Sequence, residues 1–264
     1  MMEQRVVVPS ECDVVYASNP MVLDVAVKVK EHVHKPLVCQ FLDVPKALFG
    51  SEDWRIQEYE KVKELAKQAD HLTAISNTAA KDVEAWLGRK VDNVNYLGVD
   101  TDIFGAFKPT AENYGCAVVR GMAKQKRFEE IVKAVETCKT KPKMKLIHGS
   151  HTDIEKAKII SKCKFGLGMS TLEGFGLYVC EFGYYGKPFI GRRIPVFEEI
   201  YGNNIIYVET PEEMADKIDW LMADEEARTK AGAYLANLVQ EKRLYLSEHV
   251  LRLEKTLCSM SAIS

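Results

Sequence analysis

The sequence predicts an α/β fold with two Rossmann-like domains, each built on a parallel sheet. Short β-rich runs alternate with longer helical segments, which is the pattern of parallel sheets wrapped by helices. The alternation forms two series, separated near residues 99–112 by a stretch that has Pro, Gly, Asp and Thr and no clear period. We therefore expect two domains joined there, with their sheets facing across a cleft and a ligand beyond the carboxyl ends of the strands.

The first series reads as five strands with helices between them. Ser76 or Asn77 is the expected N-cap of the third helix, and Gly88 is its stop signal. The expected strands are RVVVP, DVVYAS, PLVCQFLD, HLTAIS and NVNYLG, and the expected helices span residues 20–33, 54–68 and 77–87.

The second series also reads as five strands, and a helical pattern then runs almost unbroken from Pro211 to Leu257. The expected strands are GCAVVR, KMKLIHG, CKFGLGMS, KPFIGR and NIIYVE. Together the two series predict one domain over residues 1–107, completed by a C-terminal helix at 244–264, and a second domain over residues 108–243.

Composition limits the classes of partner. The 264 residues include 36 Lys and Arg against 38 Asp and Glu, so the formal net charge is -2. This balance gives no general attraction to nucleic acid, and we expect no nucleic-acid partner. No run of about 18 apolar residues occurs, so we expect no transmembrane segment and a cytoplasmic protein, with peripheral membrane contact left open.

The cysteines and the common fingerprints give mainly negative information. Seven cysteines are scattered along the chain, and no CxxC or Cys/His ligand spacing occurs. This favours buried thiols in a reducing compartment over a disulfide or zinc framework. GxGxxG after a strand and GxxxxGK[ST] are also absent, which disfavours a simple nicotinamide dehydrogenase or nucleoside triphosphatase. We expect neither a bound metal nor a cofactor.

The stretch MSTLEGFGLYVCEFGYYGKP carries the strongest chemical signal. Glu173 and Glu181 flank a Gly-Phe-Gly where an apolar strand gives way to a helix. Gly174 and Gly176 allow the backbone to pass close to a ligand, and a helix starting near Leu177 would direct its free N–H groups at an anion. The residues alone leave a second reading open, in which Glu173 caps the helix and Glu181 is a solvated helix residue.

A cluster of cations follows the first strand of the second series. Arg120 ends the strand in VVRGMAKQKRFEE, and Lys124, Lys126 and Arg127 come just after it. Positive charge at a strand's carboxyl end, opposite a helix N-terminus, suits a diphosphate. A solvated basic loop is the alternative.

These patterns resemble those of the family-4 retaining glycosyltransferases, which have the GT-B fold. The strongest part is STLEGFGLYVCEFGYYGKPFIGRRIPVFEEI, with a serine, EGFG, a second Glu that completes E-x7-E, and Gly-x-Pro. VVRGMAKQKRFEEIVKAVE is similar to the family's strand, Arg, short loop, Lys and helix. ADHLTAISNTAAKDVEAWLG and YLGVDTDIF resemble the segment that leads to its interdomain motif. The likeness covers most of residues 69–245.

The resemblance implies a nucleotide-sugar-binding second domain with specific residue roles. Arg120 and Lys126 would contact the diphosphate of the donor, with Lys124 as a substitute for Lys126. Glu173 would hold hydroxyls of the donor sugar near the reacting carbon, so that it, Arg120 and Lys126 form the catalytic group. Glu181 would take the ribose hydroxyls. Further donor-binding positions would be Gly174, Phe175, Gly176, Leu177, Gly149 and Ser150.

The sequence also departs from the family pattern, which makes it a short form. The first domain, expected to bind the acceptor, lacks the Gly-Gly-rich loop that often follows the first strand, and its one candidate site residue is Asp43. The interdomain Asn-Gly-Val-Asp appears here as LGVD. The insertion that usually follows the KLIHG strand and contacts the base is nearly absent.

We therefore expect a metal-independent retaining glycosyltransferase. Its donor would be a nucleoside-diphosphate sugar, and its acceptor a glycan, lipid or small molecule. Front-face attack is favoured over double displacement for the retained configuration. A non-catalytic module that binds nucleotide sugar or glycan is the alternative, and a sugar-nucleotide epimerase is a third, weaker one.

Overall fold

The computed structural model describes residues 12–43, 55–119 and 124–262. Within these ranges nine strands form two separate sheets, and all strand pairs are parallel. The chain divides into two compact units, Met1–Asn95 with Val250–Ser264, and Tyr96–His249. Each unit contains one of the sheets, as the alternation of the sequence predicts.

The first unit has four described strands in the order β1-β2-β3-β4. The predicted RVVVP strand lies outside the described residues, and the other four predicted strands are confirmed. The strands are β1 (Val15–Ala17), β2 (Leu37–Phe41), β3 (His71–Ala74) and β4 (Asn93–Val94).

Within the described ranges, three helices connect these strands, close to the predicted positions. A short 3-10 turn at Pro20–Val22 leads into the first helix. Ser76 is the N-cap of the third, since its side chain accepts from the Ala79 N–H, and Gly88 ends that helix at φ 71. The helices are α1 (Leu23–Val33), α2 (Arg55–Ala66) and α3 (Asn77–Leu87).

The second unit has five described strands, in the order β6-β5-β7-β8-β9. All five predicted strands are present, and most of their side chains are buried because helices cover both faces of such sheets. The exception is β6, an edge strand that exposes Lys143, Lys145 and Leu146. The strands are β5 (Tyr114–Val118), β6 (Lys143–Ile147), β7 (Phe165–Gly168), β8 (Phe189–Arg192) and β9 (Ile206–Val208).

The first helix of the second unit is only one turn long. A 3-10 turn at Lys124–Lys126 follows β5. The helices are α4 (Thr101–Phe104), α5 (Phe128–Thr137), α6 (Asp153–Lys162), α7 (Leu177–Tyr184), α8 (Pro195–Tyr201), α9 (Pro211–Ala223) and α10 (Glu225–Glu241).

The C-terminal helical region consists of three helices rather than one nearly unbroken run. Asp224 separates α9 from α10, and its side chain caps α10 by accepting from the Ala227 N–H. Residues 242–245 separate α10 from α11 (Leu246–Ser261), with Arg243 in the left-handed region at φ 50. Short breaks of this kind leave the apolar spacing almost continuous, which explains why the sequence pattern did not reveal them.

The compact units divide earlier than the predicted boundary at residues 107 and 108. Val99 donates its N–H to the Leu244 carbonyl at 2.9 Å and accepts from the Leu246 N–H at 2.8 Å. Gly98 lies so close to Tyr245 that an added Cβ would stand 2.2 Å from its carbonyl carbon. Residues 96–107 belong to the second unit, together with the start of α11, and these backbone contacts join Gly98 and Val99 to that helix start.

Candidate active site

The candidate site lies at one edge of the second sheet. Strands β5, β6 and β7 are parallel neighbours, so their carboxyl ends come to the same edge. Ligands of open parallel sheets bind beyond that edge. The loops that follow these three strands contain most of the residues that the sequence marks as donor-binding.

A sharp turn connects β7 to α7. Gly176 is the N-cap of α7 at φ 77, and a Cβ there would stand 2.4 Å from Cε1 of Phe197. Only glycine fits this position without strain. The Tyr201 hydroxyl donates to the Gly176 carbonyl at 2.9 Å, which fixes the turn from its buried side. The helix begins at Leu177, as predicted.

Glu173 and Lys126 are brought together from different loops. Lys126 Nζ lies 2.5 Å from Oε1 of Glu173, and the two side chains are only 15% and 12% exposed. A backbone hydrogen bond of 2.9 Å from the Thr171 N–H to the Gln125 carbonyl joins the same loops. Gly176 is the N-cap of α7, so Glu173 is not its cap. The contact is an ion pair at the carboxyl ends of β5 and β7.

Tyr178 is a member of this cluster that the sequence reading missed. Its hydroxyl donates to Oε1 of Glu173 at 2.9 Å and lies 3.4 Å from Oγ of Ser170. Lys126 Nζ stands 5.3 Å from the centre of its ring, within cation–π range. Burial, and then the neighbouring Glu173 charge, raise the pKa of Tyr178 well above its usual value, so the phenol stays a donor. Tyr178 lies in the first turn of the helix that follows Glu173, and this closeness in sequence was the available signal.

Glu181 lies on the inward side of α7. It is 3% exposed, so the reading of a solvated helix residue is wrong. Lys156 Nζ, from α6, is 2.6 Å from its Oε1 and 2.9 Å from Oδ1 of Asp153. Burial acts to lower the pKa of Lys156, but the Glu181 and Asp153 carboxylates outweigh it and raise that pKa overall. Nothing in the sequence pattern marked Lys156 for this place.

A pocket of about 90 Å³ opens beside Glu181. Val118 and Ile147 line it at the ends of β5 and β6, and Asp153, Lys156 and Glu181 supply its charges. Leu177 and Tyr178 bring the first turn of α7 to its wall, together with His148 and His151. The first N–H groups of a helix have no partner within the helix, and their positive end favours an anion. The pocket therefore combines a helix end that favours an anion with one ammonium group and two carboxylates.

The other predicted donor-binding residues are placed differently. Lys124 is exposed in the 3-10 turn, and Phe175 is buried with its ring 5.8 Å from that of Tyr96. Gly149 and Ser150 are exposed after β6, where Ser150 Oγ lies 2.8 Å from Nδ1 of His148. Gly174 is half-buried in the loop between Glu173 and the helix.

Arg120 and Asp43 complete the set of predicted site residues. Arg120 lies outside the described residues. Asp43, the candidate on the acceptor side, is half-buried just after β2 in the first unit.

Within the described ranges, no group of three or more His, Cys, Asp or Glu side chains could hold a metal ion. None of the described helices has the length and apolar character needed to span a membrane.

Comparison with protein families identifies the class. Residues 104–237 match the model of the glycosyl transferases group 1. The chain belongs to this family. The matched residues include all of the site described above, from Lys126 to Glu181. No curated protein sequence matches the chain.

Solved structures agree on the fold. HepE from Anabaena, in complex with UDP and glucose, superposes with a TM-score of 0.76 at 17% identity, over 94% of this chain and 78% of HepE. Sucrose-phosphate synthase from Thermosynechococcus elongatus gives 0.74 at 13% identity, over 96% and 74%. A glycosyltransferase from Rickettsia africae gives 0.71 at 14% identity, over 94% and 76%. The chain thus has the α/β fold with two parallel sheets of GT-B glycosyltransferases, which confirms the predicted fold class.

Proposed function

We propose that this group 1 glycosyltransferase is a retaining enzyme that uses a nucleoside-diphosphate sugar and needs no metal. The observation that carries the proposal is the joint placement of two carboxylates around the start of α7. Glu173 lies on the loop before the helix with Lys126, and Glu181 faces the pocket with Lys156. One carboxylate before the helix and one within it suit a donor that has a sugar at one end and a ribose at the other.

The proposed chemistry depends on the charge that develops as the glycosidic bond breaks. Negative charge grows on the leaving diphosphate, and fixed cations and helix N–H groups lower the barrier because they need no rearrangement. Lys126 and the start of α7 supply this stabilisation, with Arg120 as a second cation. Positive charge from side chains takes the place that a metal ion has in other phosphate chemistry.

Glu173 is proposed to bind hydroxyls of the donor sugar. Its Oε1 already accepts from Lys126 and Tyr178, and Oε2 receives neither of these bonds. A carboxylate held in this way can accept from a sugar hydroxyl and fix the reacting carbon. We favour front-face transfer, in which a leaving phosphate oxygen takes the proton of the acceptor hydroxyl. The acceptor is proposed to bind on the first unit, where Asp43 is the candidate residue.

The donor is proposed to be a UDP-sugar, because HepE has been crystallised with UDP and with UDP-glucose. A first experiment is titration of the purified chain with UDP in the presence of EDTA. We expect binding, and we expect Glu181→Ala to weaken it. Binding that needs a divalent metal, or that Glu181→Ala leaves unchanged, would contradict the proposed donor site.

Turnover separates an enzyme from a binding module. UDP-, GDP- and ADP-sugars are incubated with the chain and with mixed acceptors, and free diphosphate, product anomer and donor sugar are measured. A retaining transferase releases the nucleoside diphosphate and keeps the anomeric configuration of the sugar, whereas an epimerase changes the donor sugar itself. If donors bind and none is turned over, and Glu173→Gln changes nothing, the chain is a non-catalytic module.

A further inference from the structure

Lys156 and Glu181 form an ion pair that is almost completely buried. The two side chains are 13% and 4% exposed, and Nζ and Oε1 are 2.6 Å apart. Removing two charges from water costs about as much as their attraction returns, so such a pair adds little to fold stability. Its place in a pocket at the carboxyl ends of β5 and β6 suggests a role in ligand binding instead.

The surroundings hold Lys156 in one place. Asp153 lies 2.9 Å from Nζ on the same helix, and Nζ stands 5.7 Å from the ring centre of the buried Phe104. The start of α6 is fixed by a capping box, in which the Thr152 hydroxyl accepts from the Glu155 N–H and the Glu155 carboxylate accepts from the Thr152 N–H. The ammonium is therefore a preorganised partner of Glu181.

We infer that Lys156 is a positioning residue for donor recognition: it holds the Glu181 carboxylate ionised and oriented to accept hydrogen bonds from the ribose hydroxyls. This inference rests on the proposed function, which assigns Glu181 to the ribose. A buried carboxylate without a cation takes up a proton, and a protonated carboxyl loses part of its capacity to accept hydrogen bonds. Lys156 prevents this through its ion pair with Glu181.

The test is discrimination between ribose and deoxyribose. Binding of UDP, GDP and ADP to the full chain is measured by calorimetry, and the tightest is compared with its 2′-deoxy and 3′-deoxy forms. Hydrogen bonds to a charged group make us expect that the wild type prefers the full ribose by roughly 10- to 100-fold. Glu181→Ala should abolish this preference.

The variants of Lys156 give the result that decides the inference. Lys156→Met should lose most of the preference for the full ribose, and Lys156→Arg should keep it, because the guanidinium retains the charge. Lys156→Gln is a second neutral variant that keeps a donor group, in case the Met variant does not fold. Lys158→Met, an exposed lysine of the same helix, is the matched control and should behave as the wild type.

Three other results would overturn the inference in distinguishable ways. If the wild type binds no diphosphate, or binds without ribose preference, the proposed donor site fails and the inference fails with it. If wild type and Glu181→Ala behave as expected while both neutral variants keep the preference, only the role of Lys156 is wrong. If the neutral variants weaken ribose and deoxyribose forms equally, Lys156 contacts the phosphates or supports the fold.

Discussion

Tyr178 donates a hydrogen bond of 2.9 Å to Oε1 of Glu173. Tyr178 also lines the pocket of Glu181, so one side chain borders both carboxylates of the candidate site. Both its neighbours on the Glu173 side, Lys126 and Ser170, come from loops that follow strands of the same sheet. The two carboxylates thus belong to one connected arrangement, in which the tyrosine fixes the loop carboxylate relative to the helix.

Replacing Tyr178 by Phe should slow sugar transfer with little effect on diphosphate binding. The ring would still fill its buried place, but Glu173 would lose one of its two donors. A hydrogen bond to a charged group is worth about 1.5–3 kcal/mol, which predicts a fall in kcat of roughly 10- to 100-fold. Steady-state kinetics and UDP titration measure the two effects separately.

The matched control is Tyr207→Phe. Tyr207 donates to the Gly202 carbonyl at 2.8 Å, away from the site, so its loss removes one tyrosine hydrogen bond of similar length. Its kcat should stay close to that of the wild type. Equal kcat values for the two variants would show that the Tyr178 hydroxyl does not orient Glu173.

Replacing Lys126 by Met should weaken diphosphate binding and slow donor cleavage. Loss of one preorganised donor at a developing anion typically costs about 10²- to 10³-fold in rate. The control is Lys133→Met, since Lys133 also pairs with a glutamate, Glu212 at 2.7 Å, but both side chains are more than half exposed. Release of UDP from a UDP-sugar is the readout, and equal rates for both variants would remove Lys126 from the proposed mechanism.

The alternation of strands and helices was enough to predict the described strands and the α/β class of the fold. Helix ends with a local chemical signal were predicted closely: the N-cap was narrowed to Ser76 or Asn77, and the stop at Gly88 was predicted to the residue. The position of the unit boundary was not predicted to the residue. Residues near it include Val99, which pairs with Tyr245, a residue far away in the chain. A contact of this kind leaves no periodicity in either segment.

The candidate site shows the same limit. Glu173, Lys126 and Glu181 were found because short motifs place the first two just after strands and the third in the helix that follows. Lys156 was missed because its partner is on another helix, and an isolated lysine in an amphipathic helix has the pattern of a solvated residue. Burial and charge pairing between distant segments are properties of the fold, and a single sequence does not display them.

Alkylation should separate the cysteines by burial. Cys258 is exposed and should react first with iodoacetamide in the native chain, whereas the five buried thiols should react only on unfolding. Burial raises the pKa of Cys39 and Cys163 to about 12, so almost no reactive thiolate forms at pH 8. Mass spectrometry of the digested protein gives the order of labelling. Rapid native labelling of Cys39, Cys116, Cys138, Cys163 or Cys180 would contradict the described packing.

Replacing Gly176 by Ala should destabilise the turn before α7 and weaken diphosphate binding. The residue has φ 77, and the new Cβ would stand 2.4 Å from Cε1 of Phe197. The left-handed backbone costs about 1–2 kcal/mol for alanine, and overpacking adds roughly 1–3 kcal/mol. Chemical denaturation measures the loss of unfolding free energy, and UDP titration measures the effect on the site.

Gly186→Ala separates the two causes, because Gly186 has a similar φ of 64 and no heavy atom within 4 Å of an added Cβ. We expect this control to lose only the backbone contribution, about 1–2 kcal/mol, and to bind UDP as the wild type does. A smaller side chain at residue 197 should then relieve part of the defect of Gly176→Ala, and Phe197→Leu in that background tests this. If both glycine variants lose the same stability and bind UDP equally, close packing of Gly176 against Phe197 does not shape the start of α7.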